Sequence, residues 1–284
     1  MRGDDITYTL TTPGGVIVFQ PRTNVFVRDV EWSAAMNTEV FDRPQMHGGY
    51  YDAAFKGGGV WQATAWLLAP RVAAATIEAN RSAVVKAINS IMDADGTLGW
   101  TNLGGTIPLA LTVRALQDVK FLKGAAGWLA NVQLYSERPF AEDATATTYD
   151  TVAMTAGGGG FAVPLTLPVT FTASSGGTVT VTNSGDFYAY PKMRVYGPII
   201  NPSVINQTTG ERLQFAGSIA AGDYWEIDLF NKTVRLNGST SIRASTVSQS
   251  TWFRLGFGNT IMQLAGAGFS GTTKLRILMK SAWG

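Results

Sequence analysis

Turn residues interrupt the chain from Asn183 to Leu264 so regularly that almost no helical period survives there. The stretch NSGDFYAYPKMRVYGPIINPSVINQTTGERLQFAGSIAAGDYWEIDLFNKTVRLNGSTSIRASTVSQSTWFRLGFGNTIMQL alternates short β-prone runs with Gly, Pro, Asn and Asp. Such punctuation leaves room for little but antiparallel strands joined by tight turns. From Phe161 onward the strand candidates are FAVPLTLPVTF, TVTVT, FYAYP, MRVYG, RLQFAG, YWEIDL, TVRLNG, TWFRLG, NTIMQL and KLRILMK. Their even spacing is that of an antiparallel sandwich or jelly roll. No repeat of fixed period is visible, which argues against a propeller or solenoid.

The front of the chain reads differently. ITYTL at 6–10 and VIVFQ at 16–20 flank a Thr-Pro-Gly-Gly turn and form a hairpin. Strand-like runs follow at 24–30 and 59–68, and then the period changes. From Pro70 to Met92 the pattern is helical, with Ile77, Val84, Ile88 and Ile91 on one stripe. Pro70 suits the first turn, and Asp95-Gly96 is expected to stop the helix through a left-handed cap. Strands resume at 106–113, 116–122 and 127–136. One helix on a strongly bent antiparallel sheet accounts for this order.

Between the halves, EDATATTYDTVAMTAGGGG is too small and polar to bury much apolar area, so 143–160 is expected to be a linker or connecting loop. The expected domains are therefore 1–142 and 161–284. A chain of 284 residues is long enough for a core in each. Residues 1–144 hold 12 Lys and Arg against 14 Asp and Glu, and 145–284 hold 10 against 6. The net +2 is too small to argue for nucleic acid or membrane as an electrostatic partner. The absence of cysteine excludes disulfides, thiolate metal sites and cysteine nucleophiles, and the one histidine, His47, excludes a multi-histidine zinc site. No apolar run suits export or a bilayer span, so the expectation is a soluble chain without membrane insertion, whose four Asn-x-Ser/Thr sequons are turn content.

The turns of the back half come in a fixed order. They are Asn183 to Asp186 with Gly185, Tyr190-Pro191, Gly197-Pro198, Asn201-Pro202, Thr209-Gly210, Gly222-Asp223, Ile227-Asp228, Val234 to Gly238 with Asn237, and Trp252 to Leu255 before Asn259. Gly and Asn supply positive φ and Pro fixes turn entry. The ordered set resembles the C-terminal domain of the distal tail proteins of long-tailed (siphovirus-type) bacteriophages. The front half resembles that family's belt domain more loosely, through its hairpin, helix and a strand end at Glu137 to Phe140. The resemblance implies a mainly β fold: a belt domain of bent antiparallel sheet with one helix, then a galectin-like antiparallel β-sandwich. It further implies a virion component at the distal end of the tail, made in the host cytoplasm. Its partners would be itself in a homohexameric ring, the tail tube, tape measure and tail-associated proteins, and receptor-binding or side-fibre proteins. DNA would pass through the channel without specific binding, and no cofactor or catalytic activity is implied.

Several residues invite sharper readings. Glu226 and Asp228, two apart in a strand, face one side as paired carboxylates would, but an exposed polar face is the better account of them. Asp93 and Asp95-Gly96 resemble a fragment of a calcium loop without its further ligands. Gly157 to Gly160 lacks the Lys-Ser/Thr of a phosphate cradle, and His47 reads as a loop residue. True galectins are similar to one another in a His-x-Asn-x-Arg strand, which this back half lacks. Tyr188, Tyr190, Trp225 and Trp252 could stack on a sugar. Core packing is the alternative use of the two tryptophans: Trp252, Phe253 and Leu255 are expected to close the sandwich core, facing Ile227 and Leu229. A receptor- or carbohydrate-binding module is thus the alternative to a structural hub, and a tail-tip glycosidase would need a concave acidic site. If a ring surrounds DNA, Asp4, Asp5, Asp42 and Asp52 are candidates for its lumen or faces.

Overall fold

A computed structural model describes residues 6–20, 25–37, 40–42, 49–51, 55–68, 74–101, 106–124, 127–152, 154, 177–247 and 249–284. Asp4, Asp5, His47, Asp52, Pro70, Gly157 to Gly160 and the expected strand at 161–171 lie outside them. The chain divides into two compact units after Ala144.

The front unit holds Tyr8–Thr12 (β1), Gly15–Phe19 (β2), Val25–Asn37 (β3), Val40–Asp42 (β4), Gly49–Tyr51 (β5), Phe55–Leu68 (β6), Ala74–Ser90 (α1), Gly96–Thr101 (β7), Pro108–Ala115 (β8), Lys120–Gly124 (β9), Gly127–Ser136 (β10) and Ala141–Asp143 (β11). Antiparallel pairing runs in the order β2-β1-β7-β8-β10-β6-β3. One edge of β8 takes two neighbours: its start pairs with β11 through Leu109 and Ala110, and its end pairs with β10 through Arg114 and Ala115. Strict alternation buries Leu98, then Leu109, Leu111 and Val113, then Ala130, Val132 and Leu134 on one face. The helix stripe Ile77, Val84, Ile88 and Ile91 is buried in the same core as Leu10, Ile17, Phe19 and Trp61. Ser90 ties the helix end to the first hairpin: its hydroxyl donates to the Ala87 carbonyl at 2.6 Å and accepts from Gly14 N–H at 3.0 Å.

Gly96 corrects one expectation. It is the first residue of β7 and has no positive φ. Glycine is needed there for space, since a Cβ would sit 2.9 Å from Ile91 Cγ2 and 3.2 Å from the Thr11 carbonyl oxygen. Asp95, beside it, pairs with Arg114 at 2.6 Å.

The back unit holds Thr147–Asp150 (β12), Thr178–Asn183 (β13), Lys192–Tyr196 (β14), Ile199–Asn206 (β15), Arg212–Gln214 (β16), Ser218–Ile219 (β17), Tyr224–Asp228 (β18), Thr233–Leu236 (β19), Thr240–Ser241 (β20), Gly258–Ala267 (β21), Lys274–Met279 (β22) and Ala282–Trp283 (β23). One sheet runs β12-β22-β14-β18-β19-β20, the other β13-β21-β15-β16 with β17 beside β15. Met193, Val195, Trp225, Ile227, Val234, Leu275 and Ile277 are the buried face of the first, and Val181, Val204, Leu213, Met262 and Leu264 that of the second. Phe215, just past β16, meets Trp225 of the first sheet edge-on, ring centroids 5.7 Å apart. The mainly β, antiparallel fold is as expected.

Three expectations for this half change. Thr147–Asp150 lies within the expected linker yet pairs along its length with β22. Asn201-Pro202 is not a turn between strands but a bulge inside β15: the register shifts between Ile200 and Ser203, and Asn201 takes φ 46°. A bulge tolerates proline because its residues drop out of the ladder. Trp252 is half-buried, while Phe253 and Leu255 are buried and Arg254 is exposed. In this extended segment alternate side chains point inward, so Trp252 faces out and Trp225 supplies the core tryptophan. Ile227 and Leu229 are buried. Trp225→Ala is therefore expected to cost about 3–5 kcal/mol, and Trp252→Ala clearly less. Urea unfolding followed by far-UV circular dichroism measures both.

Candidate binding face of the back unit

The turn motifs are structural in a specific way. Asn183 is buried at the end of β13 with both ends of its amide occupied. Its Nδ2 donates to the carbonyls of Phe187 at 2.7 Å and Gly256 at 3.2 Å, and its Oδ1 accepts from Gly185 N–H at 3.2 Å and Ala282 N–H at 3.3 Å. Gly185 has to be glycine because a Cβ would overlap the Ala282 carbonyl. Asp186 is exposed, Pro191 is buried, and Gly197-Pro198 is a cis peptide. The Asn201 side chain accepts from Gly217 N–H at 3.0 Å across the bulge, and the buried Pro202 supplies the carbonyl to which Phe215 N–H donates at 3.0 Å. Gly210, Gly222, Asn237 and Gly238 all take positive φ. Asn237 joins two turns, donating to Asp223 at 2.9 Å and accepting from Tyr224 N–H at 3.0 Å. Asn259 accepts from Thr182 at 2.8 Å.

The other chemistry lies on the outer face of the six-stranded sheet. Register places Asp150, Arg276, Arg194, Glu226 and Arg235 in one row across β12, β22, β14, β18 and β19. Arg276 and Lys274 both hold Asp150, at 2.7 Å and 3.0 Å. Arg194 donates to Glu226 Oε2 from Nε and Nη2, each at 2.9 Å. These pairs hold the Arg276 and Arg194 guanidinium groups above their ordinary range, mainly through the hydrogen bonds to Asp150 and Glu226. Tyr196 and Tyr224 form the next row, centroids 5.4 Å apart, with the Arg194 guanidinium 5.1 Å from the Tyr224 ring. On the other side, Asp228 accepts from the Asn231 backbone at 2.9 Å and side chain at 3.0 Å, with Lys192 Nζ 3.5 Å away.

Glu226 and Asp228 therefore do share a face, as their spacing requires, but they are not simply solvated. Each is fixed by its own partners. Between them and the next strand lies a depression of about 450 Å³ lined by Lys192, Glu226, Asp228, Asn231, Thr233 and Arg235. Sequence reasoning singled out the two carboxylates and missed Lys192, Thr233 and Arg235, which arrive from strands whose neighbours only the sheet order reveals. Tyr188, the other aromatic considered for stacking, sits between Phe257 (centroids 5.2 Å apart) and the Arg254 guanidinium (3.7 Å from its ring), while Tyr190 packs edge-on against Phe230. Among the described residues no group of three or more His, Cys, Asp or Glu could hold a metal ion.

Residues 184–276 match the family model of the siphovirus-type tail component, C-terminal domain. The fold is similar to the crystal structure of the SPP1 Dit (gp 19.1) protein, described as a paradigm of hub adsorption apparatus in Gram-positive infecting phages. That likeness has a TM-score of 0.62 at 12% identity and covers 97% of this chain and 98% of that one. A looser likeness, TM-score 0.48 at 12% identity, covers 97% of this chain and 98% of a chain in the phage P2 baseplate in its activated conformation with calcium. Comparison with curated proteins gives no match. The matched stretch contains the ordered turns from Gly185 to Asn259.

The row of ion pairs generates a pH prediction. Arg276, then Lys274, hold the Asp150 carboxyl at about 2 against an ordinary 3.8, with burial opposing them. A depressed carboxyl stabilises the fold fully above its unfolded value and loses that contribution as pH falls through the folded one. Asp150 is partly exposed, so after solvent screening the contribution is about 1 kcal/mol. Asp150→Asn should thus be less stable than the parent at pH 7, with the gap closing between about pH 4 and pH 2. Urea midpoints across that range give the result.

Proposed function

We propose that this protein is a structural hub at the distal end of a siphovirus-type phage tail. In this reading the front unit forms a homohexameric ring around the DNA channel, joining the tail tube to the tip. The back unit docks tail-associated, receptor-binding or side-fibre proteins. The observation that carries the reading is the family match over residues 184–276, whose motif positions serve turns and buried hydrogen bonds. A front unit rich in strands offers edges and faces for contacts that close by rotation, as rings require. The hub is read as non-enzymatic, because its paired carboxylates are bound to structural partners and its back half has no histidine or cysteine.

The native mass of the purified chain tests the ring. A hexamer at micromolar concentration is the expected result, and a monomer at every concentration up to the millimolar range would count decisively against it. A second outcome concerns the channel. The front 144 residues carry two more acidic than basic side chains (14 against 12). A lumen built from them should not capture phosphates, because each Lys or Arg contact to a phosphate adds salt-dependent affinity. Duplex DNA should accordingly show no saturable binding to the assembled ring at about 0.1 M salt in fluorescence anisotropy, where the screening length is about 10 Å. Tight, salt-sensitive binding would contradict the proposed conduit.

A further inference from the structure

The depression on the outer face of the six-stranded sheet has a donor and acceptor pattern that the hub role leaves unused. Arg235 stands directly opposite Glu226 in the β18–β19 register. The two would ordinarily pair across the strands. Glu226 instead turns its Oε2 to Arg194 on the opposite neighbour. Its Oε1 then accepts no hydrogen bond from any described residue, and the exposed Arg235 guanidinium donates none. The Thr233 hydroxyl and the Asn231 side-chain oxygen are likewise unengaged among the described residues. All four residues line the same depression, beside Lys192 and Asp228.

We infer that this depression is a saccharide site, which takes one neutral pyranose unit through its vicinal hydroxyls. Four features of the geometry select that ligand. A sugar hydroxyl is donor and acceptor at one atom. It is best held where carboxylate or amide oxygens alternate with guanidinium, ammonium or hydroxyl donors, as Glu226, Asn231, Arg235, Lys192 and Thr233 do here. The lining also carries two cations (Lys192, Arg235) against two carboxylates (Glu226, Asp228), so it favours neither an anion such as phosphate nor a metal cation. A volume of about 450 Å³ suits one ring and lies within the range of small-ligand sites. Finally, Arg194 fixes Glu226 and Asn231 fixes Asp228 before any ligand arrives, which lowers the ordering cost of binding. This arrangement differs from the His-x-Asn-x-Arg route of galectins, and it goes beyond the hub reading, since a ring can assemble with or without it.

Saturation-transfer NMR on the intact chain tests the inference, with the methyl pyranosides of glucose, galactose, N-acetylglucosamine and glucuronic acid as probes. At least one neutral pyranoside is expected to receive saturation, at an affinity insensitive to salt, and the glucuronide should bind no more tightly. Arg235→Ala should weaken that response tenfold or more without moving the unfolding midpoint, since Arg235 supports no other described residue. Thr233→Val should weaken it in the same direction. Absence of transfer to all neutral probes would overturn the inference, as would a response that Arg235→Ala leaves unchanged. Loss of partner-protein docking in Arg235→Ala with no saccharide response would overturn it in favour of a protein contact. Native mass, measured on the same samples, keeps a failure of the ring distinct from a failure of the site.

Discussion

One buried amide organises an end of the back unit. Asn183 is the point at which the last residue of β13, the loop carrying Phe187, the segment after Leu255 and the chain at Ala282 converge. A buried polar side chain is tolerable only when its hydrogen-bonding capacity is met, and here both donors and the acceptor are used. Bridges between Phe187 and Ala282 and between Ala189 and Leu255 complete the convergence. These hydrogen bonds and bridges tie the loops to one another at this end of the unit. The aromatic stack of Tyr188, Phe257 and Arg254 lies on two of those loops.

The same economy appears elsewhere. Asn206 accepts from Thr208 and Thr209 within its own turn, and Asn237 clasps Asp223 and Tyr224 across two turns. In the front unit a serine hydroxyl does comparable work, fastening the first hairpin to the end of the helix. These polar side chains satisfy backbone groups where a strand or helix ends and N–H and C=O groups would be left without partners. On the outer face of the six-stranded sheet a ladder of ion pairs holds Asp150, Arg276, Arg194 and Glu226 in register.

Local patterns made much of the fold legible. The helical stripe from Ile77 to Ile91, the first hairpin and the alternating strands of the front unit follow from periodicity, and their burial is as that periodicity requires. The failures have physical causes. β15 was hidden by Pro202, which read as a turn residue, yet a bulge lets the strand pass through it. Thr147–Asp150 is too short and polar to announce itself and is a strand because β22 pairs with it. Trp252 looked like core because its neighbours are core, whereas alternation turns it outward. The candidate site was half legible. Glu226 and Asp228 are close in sequence, but Lys192, Arg235 and Thr233 join them only through the order β14-β18-β19, a non-local fact.

The central claim is that the ordered turn residues of the back unit hold its loops and strand ends together. Hydrogen exchange on Asn183→Ala tests it most directly. Removing the amide strips partners from two carbonyls and two N–H groups, each buried group left unsatisfied costing about 1–3 kcal/mol. The account predicts that exchange accelerates together in three separate segments, 184–189, 254–257 and 281–283, while the front unit is unchanged. Protection that stays at the parent level in all three, or that is lost in only one of them, would contradict it.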